Sequence, residues 1–139
     1  MNKTLRNILA VITGFIGGSL VNGGLVQIGH SVFPLEGIDT NDLDALAEAM
    51  PHMEVEHFIF PFLAHAFGTL VGAAIAAAIS SNRKMLVAMI VGGIFLIGGI
   101  VVNYMLPGPT WFAILDVLLA YIPMAWIGAK IAIGSGKRD

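Results

Sequence analysis

Apolar residues run almost unbroken through four stretches of the chain, approximately 8–28, 58–79, 85–106 and 111–133. Each reaches the roughly 20 residues that a helix needs to cross the hydrocarbon core of a bilayer. Between the first and second lies a polar segment, residues 31–57, with a pattern of its own. From Asn41 to Met50, Leu43, Leu46, Ala47 and Met50 recur at helical spacing while Asp42, Asp44 and Glu48 point elsewhere. The spacing predicts a short amphipathic helix, capped by Thr40 or Asn41 and closed by Pro51. Anionic lipid would repel its acidic face, so it is expected to lie over one end of the bundle and pack on protein. Pro107 and Pro109 make the connection between spans 3 and 4 tight, and those spans are expected to form a close antiparallel hairpin. The expected fold is all-α, a bundle of four transmembrane helices with one surface helix, forming a single membrane domain over residues 1–139.

Composition supports this reading. Only 12% of the residues are charged, about half the share in a soluble domain, which leaves too little polar surface to cover a water-exposed globule. The 17 glycines agree with it, because glycine is more frequent in membrane helices than in soluble ones. The absence of cysteine excludes disulfides, thiolate ligands and a thiol nucleophile. Lys3 and Arg6 resemble the basic start of a signal peptide, yet the apolar run is long and no clear Ala-x-Ala site follows, so the first span is expected to be retained.

Charge placement predicts orientation. The cations fall in three places: Lys3 and Arg6 before the first span, Arg83 and Lys84 between the second and third, and Lys130, Lys137 and Arg138 at the end of the fourth. Seven acids (Glu36, Asp39, Asp42, Asp44, Glu48, Glu54 and Glu56) lie between spans 1 and 2. Short loops rich in Lys and Arg stay in the cytoplasm. Both termini are thus expected inside, with the acidic segment outside, in a bacterial inner membrane. Tyr104 and Trp111 would flank the outer interface, where amphipathic rings prefer to sit.

Two further patterns bear on packing. Residues 15–22, Phe-Ile-Gly-Gly-Ser-Leu-Val-Asn, share five positions with residues 96–103, Leu-Ile-Gly-Gly-Ile-Val-Val-Asn. A hairpin duplication would relate spans 1–2 to spans 3–4 by a pseudo-two-fold axis along the membrane normal. Small residues recur every fourth position, Ala10, Gly14, Gly18 and Asn22 in span 1 and Ala64, Gly68, Gly72, Ala76 and Ser80 in span 2. Helices in lipid pack through such residues because they let backbones approach.

The candidate chemistry is sparse and shares one depth. With this orientation Asn22, Gln27, His30, His57, His65, Asn103, Tyr104, Asp116 and Tyr121 all fall in the outer half of the membrane or at its rim. Asp116 is the outlier, one carboxylate within Trp-Phe-Ala-Ile-Leu-Asp-Val-Leu-Leu-Ala-Tyr. Carboxylates inside spans usually face the bundle interior or water and mark functional sites. Three roles are open to it: an interhelical acceptor for Asn22, Asn103 or a hydroxyl, a proton or cation site, or catalysis. His65, near the glycine stripe, is either a structural donor or a partner of Asp116. Asn22 and Asn103 are a polar clamp or part of a site. Pro123 frees the carbonyl of Leu119, and the resulting kink would open space beside Asp116 and Tyr121. Glu54-x-x-His57 has the spacing of di-iron carboxylate bundles, but those need two such motifs and two more glutamates. No phosphate-binding glycine loop, zincin motif or nucleophile elbow occurs, and neither a cofactor nor a nucleic-acid partner is expected.

The runs Glu56-His-Phe-Ile-Phe-Pro-Phe-Leu-Ala-His-Ala-Phe-Gly-Thr and Leu106-Pro-Gly-Pro-Thr-Trp-Phe-Ala-Ile-Leu-Asp-Val resemble those of a family of uncharacterised four-helix bacterial integral membrane proteins. The resemblance implies the fold and no activity. Small four-helix multidrug exporters match in size but carry a glutamate in the first span, which this sequence lacks. The leading expectation is a non-enzymatic protein that binds or transports a small polar solute or cation. Asp116 would be the charged centre, with His65, Asn22, Asn103 and Tyr121 as hydrogen-bonding walls. The alternatives are an accessory or assembly subunit of a larger membrane complex, and a membrane metalloenzyme built on Glu54, His57 and His65. The bilayer is the expected partner, with a homo-oligomer or larger complex as the protein partner.

Overall fold

The computed structural model describes residues 1–136; Lys137 and Arg138, two of the cations that bear on the placement of the C-terminus, lie outside the described residues. All regular structure among the described residues is helical. Helix α1 spans Lys3–Val32, α2 Leu43–Ala49, α3 Ile59–Ile79, α4 Lys84–Met105, α5 Thr110–Leu119 and α6 Ile122–Ser135. Two single 3₁₀ turns, Met50–His52 and Val55–Phe58, lead from α2 into α3. α1, α3 with its preceding turn, α4, and α5 with α6 form four helical segments long and apolar enough to cross a membrane. The short helix α2 lies between the first and second of them.

Two boundaries depart from expectation. α1 is 30 residues long because its helix continues at both ends through polar residues that hydropathy does not count; Asn2 caps it, its side chain accepting from the Thr4 amide at 2.9 Å. α2 starts at Leu43 instead of Asn41, since Asp42 is the true cap and takes the amides of both Asp44 and Ala45. As expected, α2 ends just before Pro51, with Met50 as its C-cap; Pro51 itself sits in the first turn of the 3₁₀ segment, where its missing N–H would have no partner in any case. Leu43 is exposed, while Leu46 and Met50 face a cavity under the cap.

α3 is the central post. It packs against α1, α4 and α6 and buries Ala64, Ala66, Gly68, Thr69, Gly72, Ala73, Ala76 and Ala77. Its crossing with α1 is backbone on backbone. A Cβ on Gly14 or Gly18 would strike the carbonyls of Gly72 and Gly68, and a Cβ on either of those would strike Gly14 and Gly18 in return. With side chains absent, dispersion and Cα–H···O contacts between the two helices hold the seam. Matching positions of the proposed repeat are not packed alike. Gly18 touches α3 backbone, whereas Gly99 leaves the space that the Tyr121 hydroxyl occupies.

At the end carrying the α3–α4 turn, α1 is clasped by polar groups. Arg6 donates from Nε to the Ile79 carbonyl at 2.6 Å, Ser80 donates to Asn7 Oδ1 at 2.9 Å, the Ser81 amide to the same oxygen at 3.1 Å, and Asn7 Nδ2 to Asn82 at 2.8 Å. Asn7 is the hub. Asn7→Ala should lower stability by about 1–2 kcal/mol, read as a fall in the thermal unfolding midpoint in detergent, with no change in helix content; an unaltered midpoint would mean that the clasp contributes nothing.

The fourth segment is broken, not merely kinked. Pro123 lies in the first turn of α6, and Tyr121 adopts φ −117°, ψ −79°, outside regular helix. Neighbours on a regular helix are three or four residues apart. Tyr121, five residues beyond Asp116, reaches it only because the chain re-angles between α5 and α6.

Candidate functional site

Asp116 is wholly buried and fully occupied. Its Oδ1 stands 2.7 Å from His65 Nδ1, and its Oδ2 accepts from Asn103 Nδ2 and from the Tyr121 hydroxyl, each at 3.0 Å. Three of the four helical segments supply the cluster: α3 the imidazole, α4 the amide, and the fourth both the carboxylate, on α5, and the phenol, at the α5–α6 break. An ionised carboxylate is an acceptor only, and three donors converge on it here. That arrangement lets a charge-bearing group sit at zero exposure, where an unpaired carboxylate would be far too costly.

Each donor is itself positioned. Asn103 also donates to the Gly99 carbonyl one turn below, at 3.0 Å. The His65 ring lies against that of Tyr121, with centroids 5.7 Å apart and planes 29° from parallel. Gly99 is required beneath that phenol, since a Cβ there would overlap its hydroxyl. Thr69 donates to the His65 carbonyl at 2.7 Å. No protein family, curated protein or solved structure matches the chain. What the site can do therefore has to come from its geometry.

His65 is where that geometry opens. Its ring spends Nδ1 on Asp116, is 14% exposed, and makes no hydrogen bond at Nε2 among the described residues. Two cavities meet it. One, about 230 Å³, lies under α2, is mainly apolar, and is lined by Phe33, Leu46, Met50, Phe60, Phe112 and the histidines 30, 57 and 65 among others. The other, about 330 Å³, lies between α1 and α4; Ser19, Asn22, His65 and Tyr121 are its polar lining.

The residues singled out from the sequence thus divide. His65, Asn103 and Tyr121 converge on Asp116. Asn22 does not; it packs over Gly68 and forms the opposite wall of the α1–α4 cavity, so the two asparagines that match in sequence have different surroundings. Glu54 is exposed, and no group of three His, Cys, Asp or Glu side chains among the described residues is arranged to hold a metal ion. His57 has its Nδ1 buried without a hydrogen-bond partner among the described residues and its ring edge-on to Phe33. Ser19, Gly98 and Gly99, which shape the site, went unpicked: a serine or glycine pair within an apolar span carries no distinguishing signal until the helix that faces it is known.

Proposed function

We propose that the chain is a multi-pass protein of a bacterial inner membrane that binds a small polar solute inside the bilayer, at His65, without chemical change to it. The termini are cytoplasmic on this reading and the capped end faces outward, as the Lys and Arg distribution favours. The observation that supports it most is the imidazole itself. A buried Asp116 fixes one nitrogen, and the other meets two cavities with no hydrogen-bond partner among the described residues. A positioned donor or acceptor at the floor of a concave site is what ligand recognition needs. Asp116 acts through His65 here and does not touch the solute, because both of its oxygens are taken. The groups around it are donors, which speaks against a bare cation and for a solute that hydrogen-bonds with imidazole. Asn103 and Tyr121 hold the carboxylate, and Asn22 supplies the facing wall.

One observation favours a second reading, an accessory subunit of a larger complex. Gly24 and Gly93 are helical glycines with nothing within 4 Å of where a Cβ would stand and line neither cavity, small-residue surface that the bundle does not use.

Native mass spectrometry of the protein released from its own membranes in gentle detergent tests both. The expected result is a monomer or small homo-oligomer carrying a small non-protein adduct, absent from His65→Gln, whose amide can still donate to Asp116. An adduct-free wild type, or an adduct retained in His65→Gln, would overturn the reading. Migration as part of a large complex would favour the second.

A further inference from the structure

The cavity between α1 and α4 is built with a polar floor and an apolar mouth. Ser19, Asn22, His65 and Tyr121 lie within it, and the residues at its edge, Phe15, Gly23, Ile94, Gly98 and Val102, are all exposed on the flank of the bundle. Four of those edge residues stand well inside the helices. Phe15 and Gly23 are about 13 Å or more from either end of α1, and Ile94 and Gly98 about 10 Å or more from either end of α4, at the rise of an α-helix; Val102 is one turn from the end of α4. Both helices are long and apolar enough to cross a membrane, so the mouth lies at the depth of the hydrocarbon. A water-soluble solute would reach it only through lipid.

The floor, in turn, offers no free carboxylate. Asp116 is enclosed by its three partners and wholly buried, and His65 Nε2, the Asn22 amide and the Ser19 hydroxyl remain. A cationic head would find no open counter-charge there, and any charged head would have to leave its water behind. A carbonyl or hydroxyl would be matched by these groups.

Resting on the reading of His65 as a binding site, and narrowing its polar solute to the head of a larger molecule, we infer that the ligand is a membrane-dissolved amphiphile with an uncharged carbonyl- or hydroxyl-bearing head, which enters sideways between α1 and α4. The head lies against His65 and Asn22, and the tail remains in the bilayer along Phe15 and Ile94. Gly23 and Gly98 keep the mouth open. A Cβ at either position meets no protein atom within 4 Å, so a larger residue can start there without displacing the backbone seams and is expected to plug the entrance.

The test uses the full chain in lipid nanodiscs with a long-chain alcohol carrying a diazirine beside its hydroxyl, and peptide mapping after illumination. Labelling should concentrate on residues 15–23 and 94–102. It should fall by at least about tenfold in Gly98→Phe and Gly23→Phe, and remain unchanged in Gly93→Phe, which also meets open space but does not line the cavity. Label spread evenly over the exposed faces, Ile131 included, and indifferent to the plug would overturn the inference. The cysteine-free sequence allows a second arm with Asn22→Cys. A charged thiosulfonate applied to both faces should leave it unmodified until the protein is denatured. Fast modification in the folded protein would place water in the cavity and overturn the lateral route, while leaving His65 as a site for a water-borne solute. Cleft labelling undiminished in His65→Gln would remove the contact with the imidazole, and with it the function proposed for the site.

Discussion

Gly72→Leu should prevent the bundle from assembling. A Cβ at Gly72 would lie 2.7 Å from the Gly14 carbonyl oxygen, 3.2 Å from the Phe95 ring and 3.3 Å from the Gly18 Cα. Two of those three neighbours are backbone and cannot rotate away, so α1 would have to leave α3. Apart from the polar clasp at its start, α1 has little else to hold it, since it packs mainly along α3 and buries only Ala10, Gly14, Gly18 and Gly29. Overpacking a core that can adjust costs about 1–3 kcal/mol; here nothing can adjust, and more than about 3 kcal/mol is expected. Size-exclusion chromatography in mild detergent should show aggregate or a broad, polydisperse peak. Gly93→Leu is the matched control, because its site is open, and it should elute as the wild type does. A monodisperse, folded Gly72→Leu protein would mean that the α1–α3 seam does not hold the bundle.

That seam is legible in the sequence because its cause is local: small residues at every fourth position make a groove whatever the partner. The four apolar spans were legible for the same reason. What escaped depends on pairing. Gly18 and Gly99 occupy matching places in similar octapeptides, yet one abuts a backbone carbonyl and the other makes room for a phenol, a difference set by the helix opposite. The cap of α2 moved from Thr40 or Asn41 to Asp42 because several capping residues stand in a row, and only backbone geometry selects among them. Pro123 announced a disturbed fourth span, but the break falls at Ala120 and Tyr121, where a buried side chain gains a partner.

The candidate site was legible in part. A carboxylate in an apolar segment demands donors, and the polar residues at similar depth were few. That reasoning reaches His65, Asn103 and Tyr121, but it extends equally to Asn22, which lies across a cavity from His65 and makes no hydrogen bond with the carboxylate. Depth along a span can be counted from sequence; direction around it cannot, and Tyr121 would point away from Asp116 if its helix were regular.

The donors around Asp116 make two substitutions at this position behave very differently. Asp116→Ala removes the acceptor and leaves an imidazole N–H, an amide and a hydroxyl facing a small void. Breaking a buried hydrogen-bonded pair by deleting one partner costs about 3–5 kcal/mol, and a loss of that order is expected, seen as a sharply lowered unfolding midpoint. Asp116→Asn keeps the shape but turns one acceptor atom into a donor. If its oxygen continues to receive Asn103 and Tyr121, its NH₂ meets His65 Nδ1, and that contact is a hydrogen bond only when Nδ1 is unprotonated. The imidazole can comply, since a neutral ring carries its hydrogen on either nitrogen. The expected variant is therefore folded, weaker by about 1 kcal/mol, and inverted in tautomer, with the hydrogen now on Nε2. Nitrogen-15 NMR of histidine-labelled protein reads this directly as an exchange of the two ring-nitrogen shifts of His65, assigned by their loss in His65→Gln. An unmoved His65 spectrum in Asp116→Asn would mean that the carboxylate does not set the imidazole's hydrogen, and the nitrogen left toward the cavities would then lack the fixed donor or acceptor character on which binding at this site depends.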